Sequence, residues 1–198
     1  MSDAEDFERC ISGGGVAVFP ADTVYGLACD PSDAGAVERL YQLKGRPPAK
    51  PAAVMLFDVE LALAAVPEVG PRTRGALERI LPGQVTVLLP NPAGSFPLAC
   101  GPAPGTLGLR VPRVEALAGV RVAVLQSSAN LSNGADTSRL DEVPEEIRAG
   151  ADLVIDGGEL PGTPSTVVDL RRYEESGQWG VARTGAVPYP ELAKALNA

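Results

Sequence analysis

Short apolar runs punctuated by glycine and proline dominate this chain. Residues 16–19 are continuously apolar, follow three glycines and stop at Pro20, a pattern that predicts a buried strand. The runs 52–57, 85–89, 107–111, 120–125, 153–155, 166–170 and 179–182 predict further strands. Between them the spacing turns helical. Ala34, Val37, Leu40 and Tyr41 repeat at three and four, predicting a helix over 34–43 capped by Ser32 or Asp33. Helices are also predicted over 59–65, 73–81 and 191–196. Strands and helices mix without strict alternation. That order implies an α/β fold with a single mixed, twisted β-sheet flanked by helices, and disfavours a strict doubly wound sheet or barrel. The polar stretch 131–146 is open to two readings, a flap or a solvated surface loop.

Composition narrows this picture. At 198 residues the chain is expected to form one domain, 1–198, with an ordinary 45% hydrophobic content. Net charge is −8, which argues against indiscriminate nucleic-acid binding and leaves room for a local basic cleft. There is no histidine, so serine–histidine and cysteine–histidine dyads are excluded, as are histidine metal sites. Cys10, Cys29 and Cys100 form no CxxC pair and read as reduced structural thiols. The first ten residues are polar and acidic, unlike a signal peptide, and no apolar run reaches 18 residues. A cytoplasmic protein without membrane contact is expected.

Candidate chemistry sits in five segments. Only three lysines accompany 14 arginines, yet Lys44 and Lys50 flank Arg46 within seven residues. Mutual repulsion there is relieved by an anion, and prolines 47, 48 and 51 stiffen the segment. The same cations would also complement the carbonyl end of the preceding helix, so the segment alone does not decide. It is not a Walker A loop. The segment 20–27, PADTVYGL, places polar residues after a strand, where a crevice or a simple turn would use them. Thr106, Gly108 and Arg110 share one strand face. Arg110 needs either a ligand or an internal carboxylate. The polar groups of 126–130, including Ser128 and Asn130, suit a ligand or, more plainly, a cap or turn, and those of 165–169, opened by Ser165, are a polar strand entry that is non-specific by itself. Arg183 reads as a site cap or an exposed cation.

Taken in order, these segments resemble the motifs of the YrdC-like family, the threonylcarbamoyl-AMP synthases. PADTVYGL at 20–27 is similar to PTxTVYGL, and Lys44 follows Tyr25 at the spacing of a KxR…P segment. PGQVT at 82–86, TLGLRVP at 106–112, SSANLSN at 127–133, STVVD at 165–169 and RTGA at 183–186 continue the match over nearly the whole chain. Departures are Ala21 for threonine, Gln84-Val85 for Pro-Leu, Gln126 for a small residue, Asn133 for glycine and Thr184 for proline. Ala21 removes a hydroxyl expected near the amino-acid pocket.

The resemblance implies the YrdC-like fold in a short single-domain form. It implies formation of L-threonylcarbamoyl-AMP and pyrophosphate from L-threonine, bicarbonate or CO2, and ATP, with the product passed to a separate tRNA threonylcarbamoyl transferase and a possible tRNA contact. By this analogy Lys44, Arg46 and Lys50 bind the triphosphate, Lys44 and Arg46 stabilising charge. Thr106, Ser128, Asn130 and Arg183 contact the nucleotide. Arg110 takes threonine's carboxylate, with Thr23, Tyr25 and Ser165 around it. Mg2+ arrives mainly on the phosphates, with no protein metal site. A non-catalytic nucleotide- or RNA-binding relative and a carbamoyl-AMP-forming relative are the alternatives.

Overall fold

A computed structural model describes residues 2–47 and 49–197. Pro48, one of the expected stiffening prolines, lies outside the described residues.

The chain opens with a helix the apolar pattern does not predict, α1 (Asp3–Ser12). Ser2 and Glu5 form a reciprocal capping box at its start, and Phe7 and Ile11 bury one stripe. Strand β1 (Ala17–Pro20) follows, then β2 (Tyr25–Cys29), where the sequence pattern predicts only a polar turn. All five β2 residues are buried, because the strand pairs on both sides. Next come α2 (Ala34–Leu43), capped by Asp33, β3 (Ala53–Met55), α3 (Val59–Ala65), α4 (Pro71–Ile80) and β4 (Val85–Pro90). The short α5 (Pro97–Cys100) precedes β5 (Thr106–Arg110) and β6 (Val124–Ser128). The remainder is α6 (Glu145–Gly150), β7 (Leu153–Val154), β8 (Thr166–Asp169), α7 (Tyr173–Ser176), β9 (Gly180–Arg183) and α8 (Tyr189–Leu196).

Among the described residues these strands form one nine-stranded mixed sheet, ordered β7-β1-β2-β6-β3-β5-β4-β8-β9. The β1–β7, β3–β5 and β4–β8 pairs are parallel and the other five antiparallel.

The two faces differ, and the difference places the site. One face is covered along its length. There Leu27, Val54, Val87, Leu109 and Leu125 pack under α2, α3, α4 and α8. The opposite face is covered over part of its width. Ala17, Phe19, Ala28, Met55 and Val124 meet Phe7 and Ile11 of α1, with Phe7, Phe19 and Phe57 edge-on at 5.3–6.4 Å. Beyond Ala53 the side chains on that face become small or polar, among them Thr86, Thr106, Gly108, Gln126 and Ser128.

This explains the shift in β6, expected at 120–125 and found at Val124–Ser128. Val120 is buried in the loop beside α1, while Gln126 and Ser128 continue the ladder opposite Ala28 and Gly26. Their polarity marks a change from covered to open sheet, not the end of a strand. The 131–146 stretch is pinned: Tyr25 N–H donates to the Thr137 carbonyl at 2.9 Å, and Leu160 N–H to the Ser138 carbonyl at 2.8 Å. Among the described residues, no helix is long and apolar enough to cross a membrane.

Candidate active site

A cavity of about 370 Å³ occupies the open half of the sheet, within the size range of small-molecule sites. Thr86, Thr106, Gly108, Arg110, Gln126 and Ser128 rise from its strand floor. Arg46, Asp136, Ser165 and Arg183 close its sides. The predicted common face of Thr106, Gly108 and Arg110 is therefore the cavity floor.

The three cations respond differently to burial. Arg110 is 3% exposed and pairs with Asp22 at 2.5 Å. The same Nη2 donates to Thr23 Oγ1 at 2.7 Å. The internal-carboxylate reading of Arg110 thus holds, yet it leaves Nε buried without a hydrogen-bond partner. Burial pulls Arg110 below the usual guanidinium range, and Asp22 works against that.

Arg46 has no carboxylate partner among the described residues. Its guanidinium stacks 5.7 Å from the Tyr41 ring centroid and donates to the Pro51 carbonyl. Its Nε is also buried and unpartnered. Arg183 donates through Nη2 to the Ser165 carbonyl at 2.7 Å and to Ser165 Oγ at 3.2 Å. Ser165 Oγ also shares a 2.8 Å hydrogen bond with Thr86 Oγ1.

Lys44 lies beneath this layer. It caps α2, is 2% exposed, and does not line the cavity. Its ammonium donates to the Asn130 carbonyl and Asn130 Oδ1, both at 2.7 Å, and to the Ser128 carbonyl. All three donors are engaged by the turn that follows β6. Burial, then repulsion from Arg46, lowers its pKa from 10.5 to about 8. Asn130 is spent in the same knot, accepting from Ser128 Oγ at 2.6 Å and donating to the Gly134 carbonyl at 2.7 Å.

Of the other expected residues, Thr23 is fully buried and supports Arg110 from behind. Tyr25 is fully buried too. Its hydroxyl is occupied by Asp156 Oδ1, the Gly158 carbonyl and Gly157 N–H, so it ties the crossover before β8 to β2 and does not line the cavity. Lys50 is exposed and donates to Asn133 Oδ1 at 3.0 Å. Ala21 faces a different cavity, so its missing hydroxyl is not missing from this one.

That second cavity is larger, about 660 Å³, and lies between α4, α8 and the end of β1. Its size does not make it the site: among the described residues, none that line it has a buried donor left without a partner. The individual site residues read from the sequence omit Asp22, Thr86 and Asp136, while Gln126 was included only as part of the polar segment 126–130. Thr86 and Gln126 alternate with buried residues in their strands, which was the available signal. Asp22 meets Arg110 across 88 residues, which no local pattern reports. Among the described residues, no group of three or more cysteine, aspartate or glutamate side chains could hold a metal, and Asp136 is the only carboxylate along the cavity. Cys10, Cys29 and Cys100 are free; burial pushes the Cys29 thiol up to about 12, so it stays protonated, as a structural thiol should.

Comparison with known proteins identifies the family and the fold. The sequence model of the Sua5/YciO/YrdC family, described as telomere recombination, matches residues 9–185. Human threonylcarbamoyl-AMP synthase is 34% identical over 190 residues, covering 88% of this chain and 64% of the relative. The Pyrococcus abyssi threonylcarbamoyl-AMP synthase is 29% identical over 192 residues, covering 94% of this chain and 55% of the relative. The crystal structure of P. abyssi Sua5 complexed with L-threonine has a TM-score of 0.85 at 27% identity, covering 97% of this chain and 56% of that one. This chain therefore spans less than two thirds of the length of these relatives. By the family match over residues 9–185 and by its fold, the chain belongs to the Sua5/YciO/YrdC family.

Proposed function

We propose that this chain is a nucleotidyltransferase that forms L-threonylcarbamoyl-AMP and pyrophosphate from L-threonine, bicarbonate or CO2, and ATP. The observation that carries the reading is a pair of guanidiniums lining one cavity, half-buried Arg46 and buried Arg110, each with a buried, unpartnered Nε, in a chain with net charge −8. Buried donors without partners are costly, and anions bearing several acceptor oxygens relieve that cost. Relatives named threonylcarbamoyl-AMP synthase, and the relative complexed with L-threonine, support the choice of substrates.

In this reading the triphosphate lies toward Arg46, over the turn that Lys44 organises. Thr106 and Ser128 meet the nucleotide. Arg110 takes the amino-acid carboxylate, with Thr23 behind it and Ser165 held between Thr86 and Arg183. Threonine's amine adds to CO2 and loses a proton, giving the carbamate. A carbamate oxygen then bonds to the α-phosphorus as the bond to pyrophosphate breaks. The nucleophile is already anionic, so the protein's share is alignment and charge stabilisation, which needs no histidine. Mg2+ comes on the phosphates, with Asp136, which lines the cavity, placed to assist. The three free thiols suit a cytoplasmic setting. The product passes to a separate tRNA-modifying transferase.

The test is pyrophosphate release and AMP-adduct formation with ATP, bicarbonate and each candidate amino acid, with carbamoyl phosphate as a parallel arm. Release dependent on L-threonine is expected. Folded, ATP-binding protein that turns over no amino acid, or only carbamoyl phosphate, refutes the proposal.

A further inference from the structure

The cavity must bind two anions of very different charge and keep them in the right places. Its cations are not equivalent. Among the described residues Arg46 and Lys44 have no ion-pair partner, whereas Arg110 is matched one to one with Asp22. That pair is sealed, with side chains 4% and 7% exposed. Asp22 is held from three directions. Its Oδ1 accepts from Arg110, its Oδ2 accepts the Arg113 backbone N–H at 3.1 Å, and its carbonyl accepts from Gln84 Nε2 at 2.5 Å. It is thus fixed in place, and a ligand entering from the cavity meets Arg110 without meeting Asp22.

Arg183 lies close enough to Arg110 to oppose its charge. With Asp22 present, the two guanidiniums at this end amount to one net positive charge, which matches one carboxylate. Without it they would amount to two, and a polyphosphate would compete for the place. Both hydrogen bonds of Arg110 are made by Nη2, so Asp22 and Thr23 leave Nη1 uncommitted for a ligand.

We infer that Asp22 is a specificity-determining residue: by neutralising Arg110 it reserves that end of the cavity for a monoanionic carboxylate and confines the polyphosphate to the Arg46 end. The inference rests on the proposed two-substrate reading.

The experiment compares the unaltered chain with Asp22→Asn and Asp22→Glu, using inorganic tripolyphosphate and L-threonine as calorimetric probes, separately and in competition. The unaltered chain is expected to bind both probes together. In folded Asp22→Asn, tripolyphosphate should displace L-threonine, and the ratio of the two affinities should move at least tenfold toward tripolyphosphate. Asp22→Glu, which keeps the charge, should retain most of the discrimination. A ratio within twofold of the unaltered chain in Asp22→Asn overturns the inference. So does loss of L-threonine binding with tripolyphosphate unchanged, which would make Asp22 merely an aiming device. Should Asp22→Asn not fold, displacement of L-threonine by tripolyphosphate in the unaltered chain refutes the inference by itself. An unaltered chain with no L-threonine affinity in the presence or absence of ATP refutes the proposed function, and this inference with it.

Discussion

Lys44 should couple triphosphate binding to proton uptake. Its ammonium is buried, and its pKa is lowered from 10.5 to about 8. Near pH 8 about half of the free protein carries a neutral amine there. A phosphate charge placed about 6 Å away contributes ~3 kcal/mol at an effective dielectric of 20, roughly two pKa units. Binding should therefore restore the ammonium. With pKa values of about 8 free and about 10 bound, uptake is roughly 0.1 proton at pH 7, 0.5 at pH 8 and 0.8 at pH 9. ATP itself contributes little above pH 8, since its terminal phosphate titrates near 6. The assay is calorimetric ATP titration in buffers of differing ionisation enthalpy at those three pH values. Lys44→Met should abolish the uptake. A flat profile, or the same uptake in Lys44→Met, refutes the reasoning. Stability carries the opposite sign. Because the folded pKa is the lower one, the unfolded chain binds more protons between pH 8 and 10.5. The burial cost of about 3 kcal/mol is thus fully present below pH 8 and released as pH rises through that window, a rise that Lys44→Met should lose.

Three further outcomes follow from particular contacts. Arg46→Lys keeps the charge but loses the planar fork and its Nε donor, so ATP affinity should fall about 10- to 100-fold while L-threonine affinity stays within about twofold; calorimetry on both ligands checks this. Gly185→Ala should destabilise the fold by about 1–3 kcal/mol or displace Ser165, since an added Cβ would lie 2.3 Å from the Pro164 carbonyl oxygen and 2.5 Å from the Ser165 carbonyl carbon; urea melts with and without ligand separate the two. Asp33→Ala removes the cap in which Asp33 Oδ1 accepts from the Gly35 and Ala36 N–H groups at 2.9 and 3.1 Å, and should cost about 1 kcal/mol in thermal or urea unfolding with little effect on ligand affinity.

What the sequence conveyed about this fold depended on whether the governing interaction was local. Helix α2 was readable to the residue because its apolar spacing and its Asp33 cap are both internal to it. Helix α1 was equally local, and Ser2 with Glu5 was its signal, but its polarity drew attention away from the Phe7–Ile11 stripe. Strand β2 was missed for a different reason. Burial on both faces erases the two-residue alternation, and the neighbouring Pro20-to-Thr23 turn lent it a polar look.

The site divides along the same line. Thr106, Gly108 and Arg110 were assigned one face correctly because strand geometry fixes it, and that face is the cavity floor. The partners that decide what the cations do were out of reach, since Asp22 meets Arg110 across 88 residues and Lys44 meets Asn130 across 86. Local sequence could therefore nominate cations but not say which were neutralised. That distinction carries chemical weight. A buried cation whose charge is cancelled recognises a ligand by the direction of its N–H groups, whereas an uncancelled one recognises it by charge and is itself titrated by what it binds. Arg110 belongs to the first kind and Lys44 to the second, so substitutions at the two should be told apart by the proton balance of binding, not by affinity alone.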